Sequence, residues 1–326
     1  MNLLRAAFAA LALVAAAPAL SDPGPPVDES EIAVGEALPY AFFAKPEGDG
    51  PFPAIILLGG SDGGDRAARS FAPRFLELGY AVLGLPYYSP AYFGQPQQLP
   101  GLPRAFADIP LDKLATARDW LKAREDVDGD HVGLYGVSKG AEFALAGASR
   151  VDGFAAVVAI VPSDVIWEGW GPGTTPGAVS SFSWQGEPLP FVPYLGMQEE
   201  FAKYSDPDAT PYIRGPHDAG RRAAPERVST ARILVEEIDE PVLVAGGDRD
   251  VVWNSGLMAQ NVAERRAEKD GLVTEVLIFP SAGHYLSGVG VQNTKGDWRI
   301  DDDTLAAQQK IWPATVAFLA RYLKPE

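Results

Sequence analysis

Five residues, Gly136-Val137-Ser138-Lys139-Gly140, constrain this chain more than any others. They separate an apolar run, Val132-Gly133-Leu134-Tyr135, from a run of mostly small residues, Ala141 to Ser149. A strand that turns directly into a helix brings two backbone segments very close, and glycine on both sides of the turn permits that approach. The turn drives the central side chain out at the carboxyl edge of a sheet, and the new helix aims its positive end at the same place. The motif therefore predicts a strand–turn–helix unit that presents the Ser138 hydroxyl as a candidate nucleophile.

The rest of the chain repeats this alternation of short apolar runs with longer helix-like segments, which is the pattern of a mostly parallel sheet covered by helices on both faces. Ala54–Leu58 reads as a buried strand that ends in Gly59-Gly60-Ser61-Asp62-Gly63-Gly64, and a helix from about Arg66 to Leu78 stops at Gly79. Further strands are expected at Tyr80–Leu85, Val132–Tyr135, Ala155–Val161, Pro241–Ala245 and Glu275–Phe279. Helices are expected at Leu111–Arg124, Ala141–Ser149 and Thr304–Leu323, the last capped by Asp301-Asp302-Asp303. Glu125–Asp130 reads as an acidic turn, and Pro86–Pro110 as an aromatic, proline-rich connection. From about 163 to 240 the periodicity fails. That stretch, with Trp167, Trp170 and Trp184, is expected to be an irregular, lid-like insertion. Its rings either line an apolar pocket or form a small core of their own.

Arg5 followed by the apolar run Ala6–Ala17 and Ala17-Pro18-Ala19 has the form of a cleavable signal peptide over residues 1–20. The run is shorter than the roughly 20 residues a membrane-spanning helix needs, so the expectation is an exported, periplasmic or secreted protein without a stable membrane span. Residues 21–30 read as a linker and 31–326 as one catalytic domain. A formal net charge of -16 argues against nucleic acid, whose binding rests on clustered Lys and Arg. The absence of cysteine excludes disulfides and thiolate chemistry.

A serine hydroxyl needs a base within hydrogen-bond reach, and histidine has the suitable pKa. Of three histidines, His284 follows the last strand in the loop Ser281-Ala282-Gly283-His284, whereas His131 and His217 read as surface or structural residues. The base needs a carboxylate that fixes its tautomer. The loop Gly246-Gly247-Asp248-Arg249-Asp250 offers two; Asp250 is favoured over Asp248. Negative charge on a substrate carbonyl oxygen calls for two fixed N–H donors, one from Lys139 and one from Gly60 or Ser61. The Lys139 side chain reads as a surface charge. Asp126, Asp128 and Asp130 lack the glycine and glutamate of a calcium loop, and Gly59–Gly64 lacks the Gly-Lys-Ser/Thr of a phosphate loop, so neither metal nor cofactor is expected.

These motifs resemble the α/β hydrolases related to the C-terminal domain of acyl-CoA thioester hydrolases and bile acid-CoA:amino acid N-acyltransferases, from about Pro51 onward. Tyr135-Gly136-Val137-Ser138-Lys139-Gly140-Ala141-Glu142 carries most of the likeness. Gly247-Asp248-Arg249-Asp250 with Trp253 is similar to the family's acid loop and places the acid at Asp250. Dienelactone hydrolases share the architecture but usually carry a cysteine nucleophile, which this chain lacks. Residues 28–50 are too few for the β-rich domain that precedes the hydrolase in the animal enzymes. The resemblance implies an α/β-hydrolase fold and a small-molecule acyl ester or thioester as substrate. An acyltransferase with the same triad, or a non-catalytic binding protein on this fold, are the alternatives.

Overall fold

A computed structural model describes residues 32–90, 97–203, 208–291 and 300–324. The expected signal peptide and linker lie outside them. The chain runs through β1 (Ile32–Ala33), β2 (Phe42–Ala44), β3 (Phe52–Leu58), α1 (Arg66–Glu77), β4 (Ala81–Gly84), β5 (Ile109–Pro110), α2 (Lys113–Lys122), β6 (Val127–Val137) and α3 (Lys139–Ala148). It continues with β7 (Ala156–Ile160), β8 (Phe182–Trp184), β9 (Glu187–Pro188), α4 (Met197–Ala202), α5 (Arg214–Ala223) and α6 (Pro225–Thr230). A 3-10 turn (Val235–Glu237), β10 (Val242–Gly247), α7 (Ser255–Ala267), β11 (Thr274–Phe279) and α8 (Asp302–Leu323) complete it.

Among the described residues the main sheet has the order β1-β2-β4-β3-β6-β7-β10-β11. From β4 to β11 every neighbour is parallel; the β1-β2 and β2-β4 pairs at one edge are antiparallel, so only β2 runs against the rest. The strands are nearly pure apolar runs because both faces are covered. Alternate residues face opposite layers: Ala54, Ile56 and Leu58 pack with α2, α3 and α7, whereas Ile55 and Leu57 pack with α1 and α8. Register then fixes where the loops leave the sheet. Leu58 pairs with Gly136, Gly136 with Ala159, and Ile160 with Ala245, so the loops after β3, β6, β7 and β10 leave along one edge.

Two expectations are corrected. The acidic stretch Glu125–Asp130 is largely strand, since β6 begins at Val127. Pairing overrides its polar composition: Phe52 pairs with Val127, and the Phe52 N–H donates to the Asp126 carbonyl at 3.0 Å. Side chains satisfy one another there, with Arg124 on Asp126 and His131 Nδ1 2.7 Å from Asp128. Nor is the 163–240 segment irregular throughout. Its hairpin β8-β9 adds to β5 in a second small sheet, three helices follow, and Trp167 is fully buried in a cluster with Val165, Val192, Trp253 and Met258.

Candidate active site

The turn after β6 holds Ser138 at φ 57° and ψ -121°, a region where a non-glycine residue is strained. Surrounding bonds keep it there. The Ser138 N–H donates to the Ile160 carbonyl at 2.9 Å, and its own carbonyl accepts from the N–H groups of Ala141 and Glu142. Both glycines of the motif are required by close approach: a Cβ on Gly136 would sit 2.2 Å from the Gly140 carbonyl oxygen, and one on Gly140 would sit 2.3 Å from that of Leu58. Ser138 is only 8% exposed.

His284, on the loop after β11, bridges Ser138 and Asp250. Its Nε2 lies 3.0 Å from Ser138 Oγ and its Nδ1 lies 2.7 Å from Asp250 Oδ2. The loops that carry Asp250 and His284 are stitched together, since the Asp248 N–H donates to the Phe279 carbonyl and the Arg249 N–H to that of Ala282. Gly247 makes the approach feasible, because a Cβ there would lie 2.3 Å from the Ala282 carbonyl oxygen.

Of the two aspartates, Asp250 is the one turned inward. It is 1% exposed, whereas Asp248 faces solvent. Besides His284, the Asp250 carboxylate accepts from the Ser255 hydroxyl at 2.6 Å and from the N–H groups of Val252 and Trp253 at 2.8 and 3.2 Å. A carboxylate so engaged holds imidazole in one orientation with its proton on Nδ1. Sequence reading missed Ser255, because nothing in the local sequence marks a serine five residues after Asp250 as its partner. Trp253 gains a further role, since its indole N–H donates to the Val161 carbonyl at 3.2 Å and its ring meets His284 edge-on at 5.7 Å.

Gly60 lies against Ser138: a Cβ on it would sit 3.4 Å from Ser138 Cβ. Ser61 is the next residue of the same loop, and Tyr87 steadies that loop by donating its hydroxyl to the Gly59 carbonyl at 2.6 Å. Lys139 opens α3, where the first N–H groups have no acceptor within the helix. Its side chain is no surface charge, which corrects the sequence reading. It is 2% exposed, with Nζ 2.6 Å from Glu142 Oε2 and 2.9 Å from Ser181 Oγ. A turn followed by α3 can bury its lysine because Glu142, three residues on, shares that helix face.

Of the other histidines, His131 is a partly exposed partner of Asp128. His217 is buried between Trp167, Tyr194 and Trp253, with Nδ1 2.9 Å from the Ile213 carbonyl. Burial lowers its pKa from 6.5 to about 3, so it stays neutral at ordinary pH.

A parallel sheet with helices on both faces, and with serine, histidine and aspartate converging at its carboxyl edge, defines an α/β hydrolase by fold. The chain belongs to the BAAT / acyl-CoA thioester hydrolase C-terminal family, whose model matches residues 109–288, more than half of its length. A dienelactone hydrolase family model matches residues 40–168. Acyl-coenzyme A thioesterase 2, mitochondrial, of Mus musculus is 28% identical over 244 residues, which cover 75% of this chain and 47% of the mouse protein. Acyl-coenzyme A amino acid N-acyltransferase 2 of Rattus norvegicus is 28% identical over 263 residues, covering 81% and 55%. The chain thus spans about half the length of these relatives. An esterase from Pyrococcus furiosus shares the fold with a TM-score of 0.52 at 18% identity, over 87% of this chain and 85% of that one. Among the described residues no helix is long and apolar enough to cross a membrane.

Proposed function

We propose that this chain is a serine-dependent hydrolase of small acyl esters or thioesters that works through an acyl-enzyme on Ser138. The observation that carries this reading is the single imidazole of His284, placed 3.0 Å from the Ser138 hydroxyl by one nitrogen and 2.7 Å from Asp250 by the other. Ser138 Oγ attacks the carbonyl carbon while His284 Nε2 takes its proton. The N–H of Lys139 and that of Gly60 or Ser61 receive the oxyanion, each such donor being worth about 10²–10³ in rate. The carbon–oxygen or carbon–sulfur bond then breaks, and the leaving group departs with the proton from His284. Water, deprotonated by the same nitrogen, hydrolyses the acyl-enzyme to a carboxylic acid and restores the serine.

Relatives named as an acyl-coenzyme A thioesterase and an acyl-coenzyme A amino acid N-acyltransferase support an acyl group as the transferred unit. The second of those names favours an alternative in which an amine takes the acyl group in place of water. Export is a further proposal; its support is the Arg5 and Ala6–Ala19 pattern, and N-terminal sequencing of protein recovered outside the cytoplasm tests it.

The deciding experiment compares the protein with Ser138→Ala in fluorophosphonate labelling and in hydrolysis of p-nitrophenyl esters of graded length, with and without added amine. Labelling and turnover that disappear together in the variant support the hydrolase. An acylated amine as main product moves the reading to acyl transfer. A wild type that neither labels nor turns over any ester leaves a binding protein on a hydrolase fold.

A further inference from the structure

The residue that follows the nucleophile carries two separate chemistries. Its N–H stands at the amino end of α3 beside Ser138, and its ammonium is enclosed in a box of rings formed by Phe106, Phe182 and Trp170, with centroids 4.9, 5.1 and 5.4 Å from Nζ. The partners of the Lys139–Glu142 pair all come from elsewhere in the chain. Ser181 Oγ accepts from Lys139 Nζ and donates its own hydroxyl to the Glu168 carbonyl at 2.9 Å, while Glu142 Oε1 accepts the Trp167 N–H at 3.0 Å. Trp167, Glu168, Trp170, Ser181 and Phe182 belong to the 163–240 insertion, and Phe106 to the connection before α2.

Such a pair is an unexpected choice for stability alone. Burial pushes the Lys139 ammonium down and the Glu142 carboxyl up, and each partner's charge only opposes that drift. Apolar residues of similar volume would often pack there at no loss. What apolar residues would not supply is a fixed direction. The ion pair joins the first turn of α3, which begins at the strained Ser138, to the backbone of the insertion at Trp167 and Glu168. A strained backbone persists only where its surroundings over-determine it.

We infer that the Lys139–Glu142 pair is a positioning device, pinning the nucleophile turn to the insertion so that Ser138 Oγ stays aligned on His284 without either side chain touching substrate. This rests on the serine hydrolase reading.

The test separates folding from alignment. Lys139→Met alone strands a buried carboxylate and is expected to lower Tm by roughly 5–10 °C. Lys139→Met with Glu142→Gln removes both charges but keeps a carbonyl acceptor for the Trp167 N–H. Its Tm is expected to return to within a few degrees of wild type, while kcat for p-nitrophenyl acetate and the fluorophosphonate labelling rate stay at least about tenfold low, with KM little changed. Full recovery of kcat together with Tm overturns the inference and leaves the pair a structural one. Should the double variant fail to fold, Ser181→Ala decides: it removes one hydroxyl and neither charge, and an unaltered kcat there overturns the inference equally. A wild type without labelling or turnover defeats the hydrolase reading itself and is thereby told apart from either result.

Discussion

At the carboxyl edge of the sheet, short loops leave parallel strands whose register sets their spacing, and each delivers one polar group to a common point: Ser138 after β6, Asp250 after β10, His284 after β11. Residues 163–240 solve a different problem. They follow no alternating pattern, and they hold together through buried rings, a hairpin borrowed onto β5 and an ion pair reached from α3. The edge loops are precise because rigid strands carry them. The insertion is held by side chains, so its integrity depends on individual residues of large volume. Damage to the first region should appear in rate with little change in melting, and damage to the second in melting first.

Five substitutions sharpen or break that contrast. The largest effect is expected from Ser138→Ala, with kcat down by about 10⁴–10⁶ and Tm nearly unchanged; a loss of thermal stability instead would place the strained turn on the folding side of the ledger. Asp250→Asn should lower kcat by about 10⁴, while Asp248→Asn, at an exposed position, should stay within about threefold of wild type; comparable losses at both would remove Asp250 from its assigned place. In the insertion, Trp167→Ala empties a fully buried site and should cost about 3–5 kcal/mol in urea unfolding, with a far smaller effect on kcat than any triad change.

The smallest effect concerns His217. Its folded pKa, about 3, lies below the unfolded 6.5, so the unfolded chain binds a proton that the folded one refuses once pH falls below 6.5. Its contribution is complete above that value and is lost progressively as pH falls towards 3. Between pH 7 and 5 the loss is about 2 kcal/mol, and His217→Gln should flatten that part of the urea-midpoint profile. An identical slope in the variant would assign the loss to other groups.

The sheet and the meeting of Ser138, Asp250 and His284 were legible because they follow from periodicity and spacing. Ala54–Leu58, Val242–Ala245 and Gly136–Gly140 can be read locally, and chain order alone puts serine, aspartate and histidine in line. Asp250 and Asp248 differ by two residues in one loop, and only the inward turn created by the N–H groups of Val252 and Trp253 and the Ser255 hydroxyl tells them apart. Lys139 misled for a related reason. A lone lysine reads as solvated, and nothing in local sequence says that Ser181, 42 residues on, will meet it. Likewise the start of β6 at Val127 comes from its pairing with Phe52, far away in sequence, which the polar composition of Asp128 and Asp130 conceals.

The shared register of β3, β6, β7 and β10 bears on how activity fails with heat. Side chains alternate along a strand, so a one-residue slip would exchange every residue between the two covered faces, and the next setting that keeps each on its own face is two residues away, about 6.6 Å. Strand slippage therefore offers no graded route by which Ser138, Asp250 and His284 drift apart. Activity should therefore hold on warming and then collapse together with the far-UV signal, in one step.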